Sequence, residues 1–234
     1  MRGKKTLLVV RIKLIERLLK LAGFDQISGH WIYHPSIHKD SIVIDLGANK
    51  AEFSKQIFKK YQTICFAIEP DKDLYNTITD KHIVKFKFAI AKVNGPINFY
   101  VSNNQEAGSV IENFENKWGS KGTDIVEGVT WNSLIDKLNL ENKLISVVKV
   151  DIEGSELDLI ESFTSENISA VQQITVEFHD WLNRTLHERT LNAIKKLTLL
   201  NFITITSTPD HSWPVEILFL NKKLVRFIFL KKQS

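Results

Sequence analysis

The 234-residue chain has one cysteine, one methionine and five prolines. Cys65 has no partner for an intramolecular disulfide, which excludes a disulfide scaffold and makes a reducing compartment, the cytoplasm, the expected location. No stretch reaches the ~20 apolar residues that a membrane-spanning helix needs. Arg2, Lys4 and Lys5 precede an apolar stretch, but Arg11 and Lys13 interrupt it too early for a secretory signal. The dinucleotide pattern G-x-G-x-x-G is missing, as are internal repeats and low-complexity tracts. With 43% hydrophobic and 25% charged residues, the composition is that of an ordinary globular chain. At this length, one α/β domain with appended elements is expected in place of two small ones.

Charge is present but unevenly spread. Residues 1–23 carry +6, residues 221–234 carry +5, and the body between them carries −7 against a net +4. Basic charge confined to the ends, with no accompanying recognition motif, argues against a nucleic-acid partner. Residues 6–21 read as an amphipathic helix, with Leu8, Ile12, Ile15 and Leu19 on one face and Lys13, Glu16, Arg17 and Lys20 on the other. Such a helix can touch an anionic membrane peripherally. The same pattern fits a helix docked on its own domain, and the reading leans there.

After an aromatic connector from Gly23 to Asp40, short β-branched runs alternate with helical patterns, the layout of a parallel sheet covered by helices. Strands are predicted at Ser41–Leu46, Thr63–Glu69, His82–Ala91, Ile97–Val101, Leu144–Val150 and Val171–Glu177, with helices between them. Phe202–Thr206 and Val215–Leu220 read as an antiparallel hairpin at one edge. Ser102–Gly128 is polar and aperiodic, and reads as a long lid or binding loop.

Three segments carry chemistry. Ile42 to Asn49 is an apolar strand that ends in Asp45 and turns at Gly47, where ligands gather in open α/β sheets. The next strand ends in Glu69-Pro70, placed to accept hydrogen bonds from ribose hydroxyls of a nucleoside cofactor. The missing pyrophosphate glycines disfavour NAD. Val147 to Glu156 runs from an apolar strand into Asp151, Glu153 and Glu156 around Gly154, and carboxylates are costly at an apolar strand end unless they bind something.

Together these segments resemble the FkbM family of S-adenosylmethionine-dependent methyltransferases. The pattern D-x-G-A-N-x-G-x-F-S is met by Asp45, Gly47, Ala48, Asn49, Phe53 and Ser54, and E-P by Glu69-Pro70. K-x-D-x-E-G-x-E is met by Lys149, Asp151, Glu153, Gly154 and Glu156, and Glu177 ends a further similar strand. Ala51 stands where the family has glycine, which implies a cofactor loop narrowed by a methyl group.

The resemblance implies a class I methyltransferase fold, a Rossmann-like seven-stranded, mostly parallel sheet with an antiparallel edge strand. Residues 1–40 would be an N-terminal helix and connector, and 41–234 the S-adenosylmethionine-binding domain. It further implies a cofactor site of Asp45, Gly47, Asn49, Phe53, Glu69, Ala89 and Asp151, and O-methylation of a hydroxyl on a sugar, glycan or natural product. Asp151, Glu177 and His179 are the candidates for a catalytic base. The same three could ligate a hard cation, although no metal is expected. Aromatic residues Trp31, Tyr33, Phe114 and Trp118 are candidates for acceptor contact. The alternative is a non-catalytic methyltransferase-like protein that binds a glycan, lipid head group or protein partner.

Overall fold

The computed structural model describes residues 2–103, 108–112, 119–182, 184–207 and 215–223. Helix α1 (Arg2–Leu21) leads into a hairpin of β1 (Phe24–Ile27) and β2 (His30–Tyr33). Then come β3 (Ile42–Leu46), α2 (Glu52–Tyr61), β4 (Ile64–Ile68), α3 (Lys72–Thr77), β5 (Ile83–Phe86), β6 (Ala89–Ile90), β7 (Gly95–Ser102) and β8 (Ser120–Val129). The remainder is α4 (Trp131–Lys137), β9 (Val147–Val150), α5 (Glu156–Ser162), β10 (Gln173–Phe178), α6 (His187–Leu199), β11 (Phe202–Ile205) and β12 (Val215–Asn221).

The central sheet has the order β11-β12-β10-β9-β3-β4-β5, the seven-stranded arrangement of the class I methyltransferase fold. Strands β3 and β9 are β-branched and buried on both faces, as central parallel strands require. The hairpin does supply the antiparallel strand, with one correction. Strand β12 inserts between β10 and β11, so the antiparallel strand lies second from the edge and β11 is outermost. In this position β12 pairs on both sides, and Leu218, Phe219 and Leu220 are buried.

Alternation along the strands builds two apolar layers. Ile44, Val148, Ile174 and Phe219 face α4, α5 and α6, burying Trp131, Leu134, Ile160, Ala193 and Leu197. Val43, Cys65 and Val147 face the opposite side, against Phe53 and Ile57 of α2 and Ile27 and Ile32 of the first hairpin. The connector is therefore a structured part of the second layer. Trp31 and Tyr33 pack with Phe24, Leu218 and Leu220, which takes both out of acceptor contact. Phe114 and Trp118 lie outside the described residues.

The polar stretch read as a loop contains most of a strand. β7 and β8 pair antiparallel, and β6 joins β8 to make a separate three-stranded sheet. Residues 120–125 of β8 are exposed, so no apolar alternation marked the strand. Within α1, Ile12, Ile15 and Leu19 are partly buried, whereas Leu14, Leu18 and Leu21 are exposed. The basic side chains of Arg2, Lys4 and Lys5, and residues 224–234 with Arg226, Lys231 and Lys232, lie outside the described residues. Among those described, no helix is long and apolar enough to cross a membrane.

Candidate active site

The order of the sheet reverses between β3 and β9, and two clefts open at the carboxyl ends of these strands. The first is a narrow cleft open to solvent. Glu69, Phe88, Ala89 and Ile90 form one wall, and Phe99, Gly108 and Val110 another. The second, of about 360 Å³, is lined by His30, Phe53, Lys149 and Glu177 among others. Gly47, Asn49, Asp151 and Glu153 line both, so the clefts meet there.

Gly47 makes that meeting possible. Its φ is +71°, and a Cβ would fall 1.8 Å from the Asp151 carbonyl oxygen, so no larger residue fits. Asn49 takes a left-handed conformation (φ 52°), and its backbone N–H donates to Glu69 Oε2 at 2.7 Å. Glu69 Oε1 accepts from the Asp71 N–H at 2.8 Å. Burial pushes the Glu69 carboxyl up to about 7 against these two hydrogen bonds.

Two sequence assignments move. Asp45 is fully buried and lines neither cleft. Its Oδ2 accepts from Ser54 Oγ at 2.7 Å, and Lys149 Nζ lies 3.3 Å from Oδ1. It holds Lys149, whose Nζ also donates to the Gly47 carbonyl at 2.7 Å and lies 3.2 Å from Asp151 Oδ2. Phe53 lines the second cleft and sets its ring edge-on to His30, with centroids 5.7 Å apart. Ala51 also departs from expectation. It adopts φ 58° at the start of α2, and its methyl packs with Ala48, Ala67, Ile78 and Ile83, away from both clefts. Glycine suits that position by conformation, and alanine takes it at a steric cost of roughly 1–2 kcal/mol.

The acid cluster is tightly coupled. Burial raises the Asp151 carboxyl, but Lys149 and His179 outweigh it, leaving Asp151 below the usual carboxylate range. His179 is buried, with Nδ1 2.9 Å from Glu156 Oε1 and Nε2 3.3 Å from Glu153 and 3.7 Å from Asp151. Burial alone would discharge it, yet Glu156, Glu153 and Asp151 hold it protonated up to about 10. His179 thus stands among these acids as their positively charged partner. Glu177 is raised by burial and by Asp151. Burial, opposed by His179 and reinforced by Asp151, pushes Glu153 up to about 8. Glu153 also carries a left-handed φ of 51°, the kind of backbone strain that collects at working sites.

The sequence reading missed two residues. His30, from the hairpin, is buried and places Nε2 3.8 Å from Asp151 Oδ2; burial drives its imidazole down to about 3, so it is neutral. Glu216 of β12 lies opposite Glu177 in register and accepts from the Trp31 N–H. Neither lies in a recognisable motif. The hairpin is held over the sheet by Gln173, whose Oε1 accepts from the Tyr33 N–H and whose Nε2 donates to the Tyr33 carbonyl.

Residues 45–199 match the family model described as the methyltransferase FkbM domain. The hexuronic acid methyltransferase AglP of Haloferax volcanii is 22% identical over 147 residues, covering 60% of this chain. The chain spans 57% of the length of that relative. Among solved structures, the Methanococcus jannaschii fibrillarin pre-rRNA processing protein is 12% identical with a TM-score of 0.46, covering 85% of this chain and 82% of its own. A precorrin-6y C5,15-methyltransferase from Geobacter metallireducens is 12% identical with a TM-score of 0.41, covering 79% and 82%.

Proposed function

The chain belongs to the methyltransferase FkbM domain family, and from that premise we propose that it transfers a methyl group from S-adenosylmethionine to a hydroxyl oxygen of a sugar or glycan acceptor. The observation that carries this reading is the pair of clefts meeting at Gly47, Asn49, Asp151 and Glu153. Displacement at a sulfonium-bound methyl needs donor and acceptor in line and shielded from water, and two clefts with a shared wall provide that alignment.

The residues of the first cleft fit the cofactor. Glu69 offers carboxylate oxygens to ribose hydroxyls, and Phe88, Ala89 and Ile90 offer an apolar face to adenine. The acceptor then enters the second cleft, where Glu52, Asp151, Glu153 and Glu177 stand against Lys50 and Lys149. So polar a wall offers hydrogen-bond partners to the hydroxyls of a sugar. A hydroxyl needs a base, and Glu153, which reaches both clefts, takes that role in its ionised form, which grows as pH rises toward about 8. Asp151, paired with Lys149, orients the acceptor. The curated relative named as a hexuronic acid methyltransferase supports a sugar-containing acceptor.

Release of S-adenosylhomocysteine should be followed with glycans that carry neutral hexoses or hexuronic acids. Glu153→Gln should keep cofactor affinity and lower turnover about 10²–10⁴-fold, the usual range for a general base. Failure to bind S-adenosylhomocysteine overturns the reading. Cofactor binding with no turnover on any acceptor would favour a binding protein that has lost catalysis.

A further inference from the structure

We propose that His30, Asp151 and Glu177 bind one divalent transition-metal cation in the wall of the second cleft, where it takes the acceptor hydroxyl as a further ligand. One ligand atom from each lies within 4.8 Å of the others. A cation bonded at about 2.0–2.2 Å holds its ligands at most about 4.4 Å apart, so a small inward movement completes the set.

The independent sign of a ligand is His30. Its side chain is only 5% exposed, it lines the cleft, and its Nδ1 is buried without a hydrogen-bond partner. That orphaned Nδ1 faces Glu216; the atom that points into the cluster is Nε2, 3.8 Å from Asp151 Oδ2 and beyond hydrogen-bond distance. The ring is also flanked as metal-bound histidines are. Nε2 faces Asp151, while Nδ1 lies 3.7 Å from Glu216 Oε1, the carboxylate that would fix its tautomer. Lys149 supports the Asp151 carboxylate in the same way.

A second grouping, Asp151, Glu153 and His179, is less suitable. His179 is engaged by Glu156 and lines neither cleft, so a cation there would have no position open to substrate. One imidazole with two carboxylates suits Mn²⁺, Fe²⁺ or Zn²⁺ better than Mg²⁺, which prefers an all-oxygen shell.

This site rests on methyl transfer to a hydroxyl. The coordinated hydroxyl gives its proton to a Glu153 carboxylate oxygen. Its electron pair forms the new oxygen–carbon bond as the carbon–sulfur bond breaks. Sulfur keeps the electron pair of the broken carbon–sulfur bond, leaving S-adenosylhomocysteine and an unchanged cation.

The test is titration of the cofactor-free full chain with Mn²⁺ alone, read by loss of the free-ion electron paramagnetic resonance signal. One ion per chain is expected, with affinity reduced at least about tenfold in His30→Ala and in Glu177→Gln. Circular dichroism checks that each variant is folded. Should His30→Ala unfold, the partly exposed Glu177→Gln decides alone. No uptake at millimolar Mn²⁺, or uptake that the folded variants retain, overturns the site. S-adenosylhomocysteine affinity measured in EDTA separates the two ideas, because loss of cofactor binding there overturns the methyl-transfer reading instead.

Discussion

At the scale of single residues, Glu69 gives the clearest pH signature. Its carboxyl is raised to about 7 by burial, and ribose hydroxyls donate only to the ionised form with full strength. S-adenosylhomocysteine affinity should therefore be constant above about pH 7 and fall below it, approaching tenfold per pH unit, as proton linkage requires. For the cofactor-free protein the sign reverses. A raised carboxyl favours the protonated folded state, so its contribution to stability declines as pH rises from about 4.5 toward 7. Glu69→Ala should weaken the complex by about 1.5–3 kcal/mol, and Glu69→Gln should flatten the affinity profile, both readable by calorimetry at several pH values. Asp45, Glu69 and Asp151 were legible as site acids because each ends an apolar strand. What distinguishes them is the direction each faces: Asp45 supports Lys149 beneath the clefts, while Glu69 lines the first cleft.

At the scale of elements, α1 offers two apolar edges to different surroundings. Leu19 packs with Phe24, Trp31 and Tyr33, while Leu14, Leu18 and Leu21 stay exposed beside Lys13, Arg17 and Lys20. An exposed leucine stripe with basic neighbours predicts co-sedimentation with anionic vesicles at low salt, fading as ionic strength rises. Equal, weak binding to neutral and anionic vesicles would leave α1 as a packing helix alone. The hairpin of β1 and β2 teaches a related point. Its four-residue strands carry no long alternation, yet Gln173 pins β2 to the sheet and sets His30 above Asp151.

At the scale of the whole molecule, β12 ties the sheet together by pairing with both β10 and β11. Phe219 is fully buried on this strand and meets Phe178 edge-on, with ring centroids 6.5 Å apart. Phe219→Ala should cost about 3–5 kcal/mol of stability. Because both layers share the sheet, far-ultraviolet circular dichroism and tryptophan fluorescence should report one shifted urea transition, and separate midpoints would show that the layers unfold independently.

The sequence by itself determined the class of fold and the strand ends at which the two clefts open. Both follow from local facts: β-branched runs that can only be buried strands, acids at their carboxyl ends, and the turn at Gly47. Tertiary structure alone decided which acids are available to a ligand and which partner each has. His179 follows Phe178 at the end of β10, but only the fold surrounds it with Glu156, Glu153 and Asp151, whose field raises its imidazole. His30 and Glu216 lie 121 and 65 residues from Asp151 in the chain. Their approach depends on a hairpin docking on a sheet and on β12 inserting next to β10, long-range pairings that leave no periodic trace in the sequence around either residue.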